Sequence, residues 1–196
     1  MAIAGGQMSD AFAYLSVLLS IVLGLAIAEI LQGYGVLLRS RSSVKAYAPP
    51  LIWSVMVLIL ATHFWWASFG LASRQNWSFA AFSAVLLQTI MLFMGAALIL
   101  PHGGSPPIDL RAHYYKERVP FFSFGLLFLL VGFLKLWLLS DPFHGVTLGF
   151  FAFFTLMALL GLVFTKPRVH EVLAPAMAVG IVIFITIMFA RLQSSQ

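Results

Sequence analysis

Residues Ala11–Leu38, AFAYLSVLLSIVLGLAIAEILQGYGVLL, are long enough to cross a bilayer, which takes about 20 apolar residues in helical form. The run carries Glu29 deep inside and ends against Arg39 and Arg41. A carboxylate is costly in hydrocarbon, so Glu29 must face protein or water rather than acyl chains. The question it raises is which other segments come to its level, and with what groups. Ser16, Ser20 and Gly24 recur every four residues, a small-residue stripe of the kind that lets helices approach closely. At 100° per residue Glu29 falls on the side opposite Ser20, and Gln32 and Gly33 share its side. Ser9 and Asp10 suit the N-cap of this first helix.

Five further apolar runs follow, giving spans at about residues 11–38, 50–71, 78–100, 120–139, 146–165 and 171–190. Together they consume most of the 196 residues and leave no room for a separate soluble domain. The chain is 62% hydrophobic and 9% charged, against about 25% charged in ordinary globular domains. The expected fold is all-α: one six-helix transmembrane bundle. The N-terminal ten residues lack Lys and Arg, and the run after them exceeds a signal-peptide core, so a retained first helix is expected rather than a cleaved leader.

Pro101-His-Gly-Gly-Ser-Pro-Pro107 ends the third run. After it, Asp109-Leu-Arg-Ala-His-Tyr-Tyr-Lys-Glu-Arg118 reads as a short amphipathic helix within a loop over residues 101–118, with Pro120 opening the fourth span. Pro175 is expected in or near the first turn of the sixth span, where proline is tolerated. The loops after spans one, three and five hold eight Lys and Arg, and the other side holds Arg74 and Arg191. That bias puts both termini outside and the 101–118 loop in the cytoplasm. The formal charge of +5 is spread over these short loops, with no polybasic tail, so nucleic acid is not an expected partner. The absence of cysteine excludes disulfides and thiolate chemistry.

Three stretches, Phe12-x-Tyr-Leu-Ser-Val-Leu-Leu-Ser20, His63-Phe-Trp-Trp66 and the Leu-Arg-Ala-His-Tyr that follows Asp109, resemble a group of small polytopic inner-membrane proteins of bacteria. The resemblance implies a bacterial inner membrane. It implies no activity and transfers no functional residue.

The polar residues inside the spans carry the functional reading. Counted at 1.5 Å per residue from the cytoplasmic ends of their runs, Glu29, His63 and Gln88 lie at roughly 15, 20 and 18 Å. A carboxylate, an imidazole and an amide at one depth suit a proton relay or an ion path; the plainer reading is that they hold helices one to three in register. Gln32, Thr62, Thr89 and Lys135 are secondary polar positions. Lys135, five residues before Ser140, can extend its ammonium to the interface or pair with Asp141. His102, His113 and His170 share the cytoplasmic side, but their spacing matches no metal motif, so no metal is expected. His63 has no second histidine at its depth to complete a bis-His haem site, and no other cofactor is indicated. Hydrolase, zinc-protease and phosphate-loop motifs are absent.

The leading expectation is therefore a small channel or transporter moving an ion or solute, either passively or coupled to protons, with Glu29, His63 and Gln88 lining the path. The rival is a non-transporting subunit that binds a partner through Asp109, Arg111, His113, Tyr114 and Tyr115. A small-cofactor or lipid-modifying membrane enzyme is the third. The bilayer is the certain partner, and the small-residue stripe makes a homo-oligomer the expected assembly.

Overall fold

A computed structural model describes residues 10–72, 77–103, 107–139 and 145–194, with side chains from 12 to 187. Ser9, Arg74, the 140–142 turn with Asp141 and the Arg191 side chain lie outside the described residues. Six helices run α1 Asp10–Arg39, α2 Ala48–Ser68, α3 Phe79–Ile99, α4 Leu110–Leu138, α5 Gly145–Val163 and α6 Pro167–Ser194. A 3₁₀ turn at Phe69–Leu71 prolongs α2. All six are long and apolar enough to cross a membrane. The chain is an all-α, multi-pass membrane protein.

Each helix packs on the next in the order α1, α3, α4, α5, α6, α2 and back to α1. Helix α2 also touches α3 directly. The result is a five-membered wall of α2 to α6, with α1 leaning on α2 and α3 from outside. Helix α1 buries Phe12, Leu15, Leu19, Leu23, Ala26 and Ile30 at three- and four-residue spacing, the stripe a helix needs to pack on one side. Its other face is exposed at Tyr14, Val17, Ile21 and Leu25. Of the small-residue stripe, Gly24 faces open space, whereas Ser20 accepts a hydrogen bond from the Trp65 indole at 3.3 Å.

Helix lengths differ, and the difference sets levels. The 30 residues of α1 span about 45 Å at 1.5 Å per residue, half as much again as the ~30 Å hydrocarbon core. Helix α3 is nine residues shorter. Gly33 packs on Leu100, the residue that ends α3, so closely that a Cβ there would collide with it. The last turns of α1 therefore overhang the end of α3, at the end of the bundle where the Lys- and Arg-rich loops gather.

Two boundaries differ from the sequence expectation. The loop helix expected before Pro120 is not separate: α4 runs unbroken from Leu110, with Pro120 inside it. Proline removes one backbone hydrogen bond, but membrane helices tolerate this where neighbours pack around the gap. Leu110, Tyr114, Arg118, Phe121 and Phe122 form one continuous buried stripe across it. Helix α6 likewise starts at Pro167, where proline is preorganised for the first turn. That leaves Pro175 about two turns inside rather than at the start.

At the basic end, Val44-Lys45 pairs in parallel with Ile108-Asp109, joining the α1–α2 and α3–α4 connections by backbone hydrogen bonds. The Asp109 side chain caps α4, accepting from the Ala112 N–H at 2.9 Å, and lies 3.7 Å from the Lys45 ammonium.

Candidate functional site

The five-helix wall surrounds a cavity of about 1400 Å³. Its floor, toward the basic end, is aromatic: Trp53 packs edge-on against Phe121 and Phe122, with ring centroids 5.3 and 5.2 Å away. Phe128, Phe150, Phe154 and Phe184 line its middle. Exposed Trp66 and Phe69 mark the opposite end, where the cavity meets the surroundings. Among the described residues, neither aspartate nor glutamate lines it.

Three polar side chains border this space. Gln88 on α3 is 5% exposed, and its Nε2 donates to the Phe128 carbonyl of α4 at 3.4 Å. Gly132 makes that reach possible, because any Cβ there would press on the Gln88 amide. The Gln88 Oε1 has no partner among the described residues. His63 on α2 lies edge-on to Phe184, at 5.7 Å between centroids, and its Nδ1 is equally without a partner among the described residues. The Lys135 ammonium sits over the Phe64 ring, 5.1 Å from its centroid, a cation–π placement.

Beneath the floor the chemistry reverses. Arg118, buried in α4, directs Nη1 at the carbonyls of Gly161, Leu162 and Phe164, at 3.1, 2.9 and 2.6 Å. These belong to the end of α5, whose last carbonyls lack intrahelical partners and carry the negative end of the helix dipole. His170 of α6 is fully buried and joins the same Phe164 carbonyl through Nε2 at 2.8 Å. A carbonyl only accepts, so Nε2 carries the proton, and in the neutral ring Nδ1 accepts from the Tyr114 hydroxyl at 2.8 Å. Nearby, Tyr34 bonds Ser54 at 2.8 Å, and Tyr47 lies 3.4 Å from the Tyr115 hydroxyl. Burial pushes the Tyr47 hydroxyl above the usual phenol range, which keeps it neutral.

The expected trio of Glu29, His63 and Gln88 is split by this arrangement. His63 and Gln88 border the same cavity. Glu29 does not, because α1 stands outside the wall. Its carboxylate instead meets His102, just past the end of α3, at 2.5 Å, and His102 Nε2 also lies 3.1 Å from the Glu29 carbonyl. The depth estimate took Arg39 as the surface, whereas α1 overhangs α3 by its last turns. Gln32 is exposed; Thr62 is exposed and bonds the Leu58 carbonyl; Thr89 is buried and bonds the Leu86 carbonyl.

The residues expected to greet a partner are mostly engaged within the fold. Asp109 caps α4, His113 bonds the Leu98 carbonyl at 3.0 Å, and Tyr114 is buried against His170. Tyr115 is half-buried beside Tyr47, and exposed Arg111 lies 5.8 Å from the Tyr47 ring. His102, His113 and His170 each serve a different partner and do not converge.

Sequence reasoning missed Arg118, counted as a loop charge, and the structural part of His170. The signal for Arg118 was present: it lies on the four-residue repeat Leu110, Tyr114, Arg118, Phe122, obscured by the assumption that Pro120 ends a helix.

No family model, curated protein or solved structure matches this chain. The three stretches that resemble small bacterial membrane proteins therefore bring no activity with them.

Proposed function

We propose that the chain is a small transporter-like protein of the bacterial inner membrane, with its basic end in the cytoplasm, whose cargo is a small and largely apolar solute held in the cavity between α2 and α6. One observation carries this reading: a cavity of about 1400 Å³ with an aromatic floor, an exposed opposite end and, among the described residues, no carboxylate in its lining. A void left in a packed interior forfeits dispersion contacts around its whole lining. An apolar lining is poor at holding water. A solute or lipid chain is the occupant that resolves the conflict.

A path for hydrated ions calls for polar or charged groups along its length. Here Glu29 stands outside the wall, and the floor beneath His63 and Gln88 is aromatic. Catalysis finds little support: Ser68, a hydroxyl in the lining, donates to the Trp65 carbonyl at 2.6 Å. The open space at Gly24 on α1 favours a contact with a second copy of the chain.

The test uses protein in phosphatidylcholine nanodiscs, titrated with the neutral apolar fluorophore N-phenyl-1-naphthylamine. Saturable binding near one per chain is expected. Gly125→Trp, which fills open space in the cavity, should abolish it. Proteoliposomes loaded with pyranine should show no proton flux under a pH gradient. Binding that never saturates, or is indifferent to Gly125→Trp, overturns the proposal, as does a proton flux lost in His63→Ala.

A further inference from the structure

The charge inside the cavity narrows its ligand, on the reading that the cavity is a solute site. We infer that the ligand is an amphiphile with an anionic head, met by the Lys135 ammonium near the open end, and an acyl chain that runs down α4 to the aromatic floor.

The place of Lys135 on its helix is the first argument. The residues that α4 turns toward the cavity keep helical spacing: Phe121, Gly125, Phe128, Gly132, Lys135 and Leu139. A lysine near the end of a span ordinarily lays its stem along lipid and extends its charge to the interface. Lys135 instead belongs to the inward stripe, and its ammonium stands over the ring of Phe64 on α2, itself a lining residue. Among the described residues, no other lysine or arginine lines the cavity, and no aspartate or glutamate. An ammonium has three donors, so a contact it keeps within the protein does not exhaust it.

The sign of that charge selects the head. A carboxylate, phosphate or sulfonate accepts from the ammonium and brings the opposite charge, and such bonds are about twice as strong as neutral ones. A hydroxyl or ether oxygen accepts without the charge. A cationic head meets like charge in apolar surroundings, where repulsion is least screened.

Level and length agree with this orientation. Exposed Trp137, two residues beyond Lys135, and exposed Trp66 at the open end are aromatic side chains of the kind that settle at headgroup level. Below Lys135 the same stripe has room, because nothing lies within 4 Å of where a Cβ on Gly125 would stand. Lys135 and the floor residue Phe122 are thirteen residues apart on α4, about 20 Å, the reach of an extended hexadecyl chain.

The experiment varies the head on one tail. In phosphatidylcholine nanodiscs, hexadecanesulfonate, hexadecanol and hexadecyltrimethylammonium compete with N-phenyl-1-naphthylamine, each dosed by its mole fraction in the bilayer. The sulfonate should displace the fluorophore at about tenfold lower mole fraction than the alcohol, the worth of one charge-assisted hydrogen bond. The trimethylammonium should be the weakest. In Lys135→Met the advantage of the sulfonate should vanish while the fluorophore still binds, and Lys135→Arg should retain it. Lys135→Gln repeats the measurement if Lys135→Met folds poorly. Two further arms separate the sources of such a head: hexadecanoate added to phosphatidylcholine nanodiscs, and phosphatidylglycerol built into them. Displacement by hexadecanoate alone makes the ligand a free fatty acid; displacement by phosphatidylglycerol makes it a bilayer lipid. Displacement by neither, equal displacement by sulfonate and alcohol, a stronger effect of the cation, or an advantage that survives in Lys135→Met overturns the anionic head and leaves the cavity reading intact. Failure of the fluorophore itself to bind saturably overturns the cavity reading instead.

Discussion

Toward the basic end of the helical wall most buried polar side chains are met within the fold, the Trp53 indole excepted, while beside the cavity two are not. Toward the basic end, Arg118, Tyr114, His170, Tyr34 and Ser54 are buried or half-buried, and each meets a partner at hydrogen-bond distance. Some ten residues farther along the wall, His63 and Gln88 each leave an atom without a partner among the described residues, beside a wide apolar space. Polar groups buried for structure are satisfied internally, because in a low-dielectric interior the alternative is expensive. The contrast separates the polar groups that hold the bundle together from those that border the cavity.

If that contrast is right, removing polarity should be severe at one end and harmless at the other. The largest effect is expected at Arg118. Arg118→Leu withdraws a charged donor from three carbonyls at the end of α5 and should cost about 3 kcal/mol or more, since hydrogen bonds to charged groups are the strong ones. Thermal unfolding in nanodiscs reads this as a clear drop in Tm; an unchanged Tm would break the comparison at its firmest point.

A smaller loss is expected at the surface of the same end. The Ala112 N–H, which Asp109 caps, holds the Asp109 carboxyl below the ordinary aspartate range. A lowered folded-state value means the contribution is complete above the usual aspartate pKa of about 3.9. It is lost as the pH falls through the lowered value. Asp109→Ala should therefore unfold at lower temperature than the parent at neutral pH, and the two should converge in strong acid. A gap that widens on acidification would contradict the cap.

The smallest effect sharpens the other half. Gln88→Leu gives up one long hydrogen bond and removes an unmet acceptor, so stability should change by less than about 0.5 kcal/mol. Measured beside Arg118→Leu, it shows whether polarity in the cavity serves the fold. A loss comparable to that of Arg118→Leu would make Gln88 a structural residue.

Much of the architecture was legible in the amino-acid order. Six apolar runs of spanning length, punctuated by Pro101, Pro107 and Lys166-Pro167, are enough to foresee six helices. Relative heights were not legible. Glu29 lies ten residues from Arg39, but whether Arg39 marks a surface depends on where Leu100 meets Gly33, a fact of packing that no count along one helix supplies. The site was obscured for a related reason. Nothing in the order of residues says that α1 stands outside the wall, so a polar residue on it looked equivalent to those on α2 and α3. Arg118 was hidden by its company: among Lys116, Glu117 and a following proline, a buried cation looks like any loop charge.

The short parallel bridge between Val44-Lys45 and Ile108-Asp109 has a mechanical consequence. It laces two interhelical connections together through the main chain, so at that end the first four helices are tethered as a single block. Among the described residues, the hairpin of α5 and α6 is fastened there only by side chains, chiefly the Arg118 hook and the Tyr114–His170 latch. Separating α5 and α6 from those four helices at that end therefore breaks side-chain contacts, whereas separating the α1–α2 and α3–α4 pairs breaks main-chain hydrogen bonds as well.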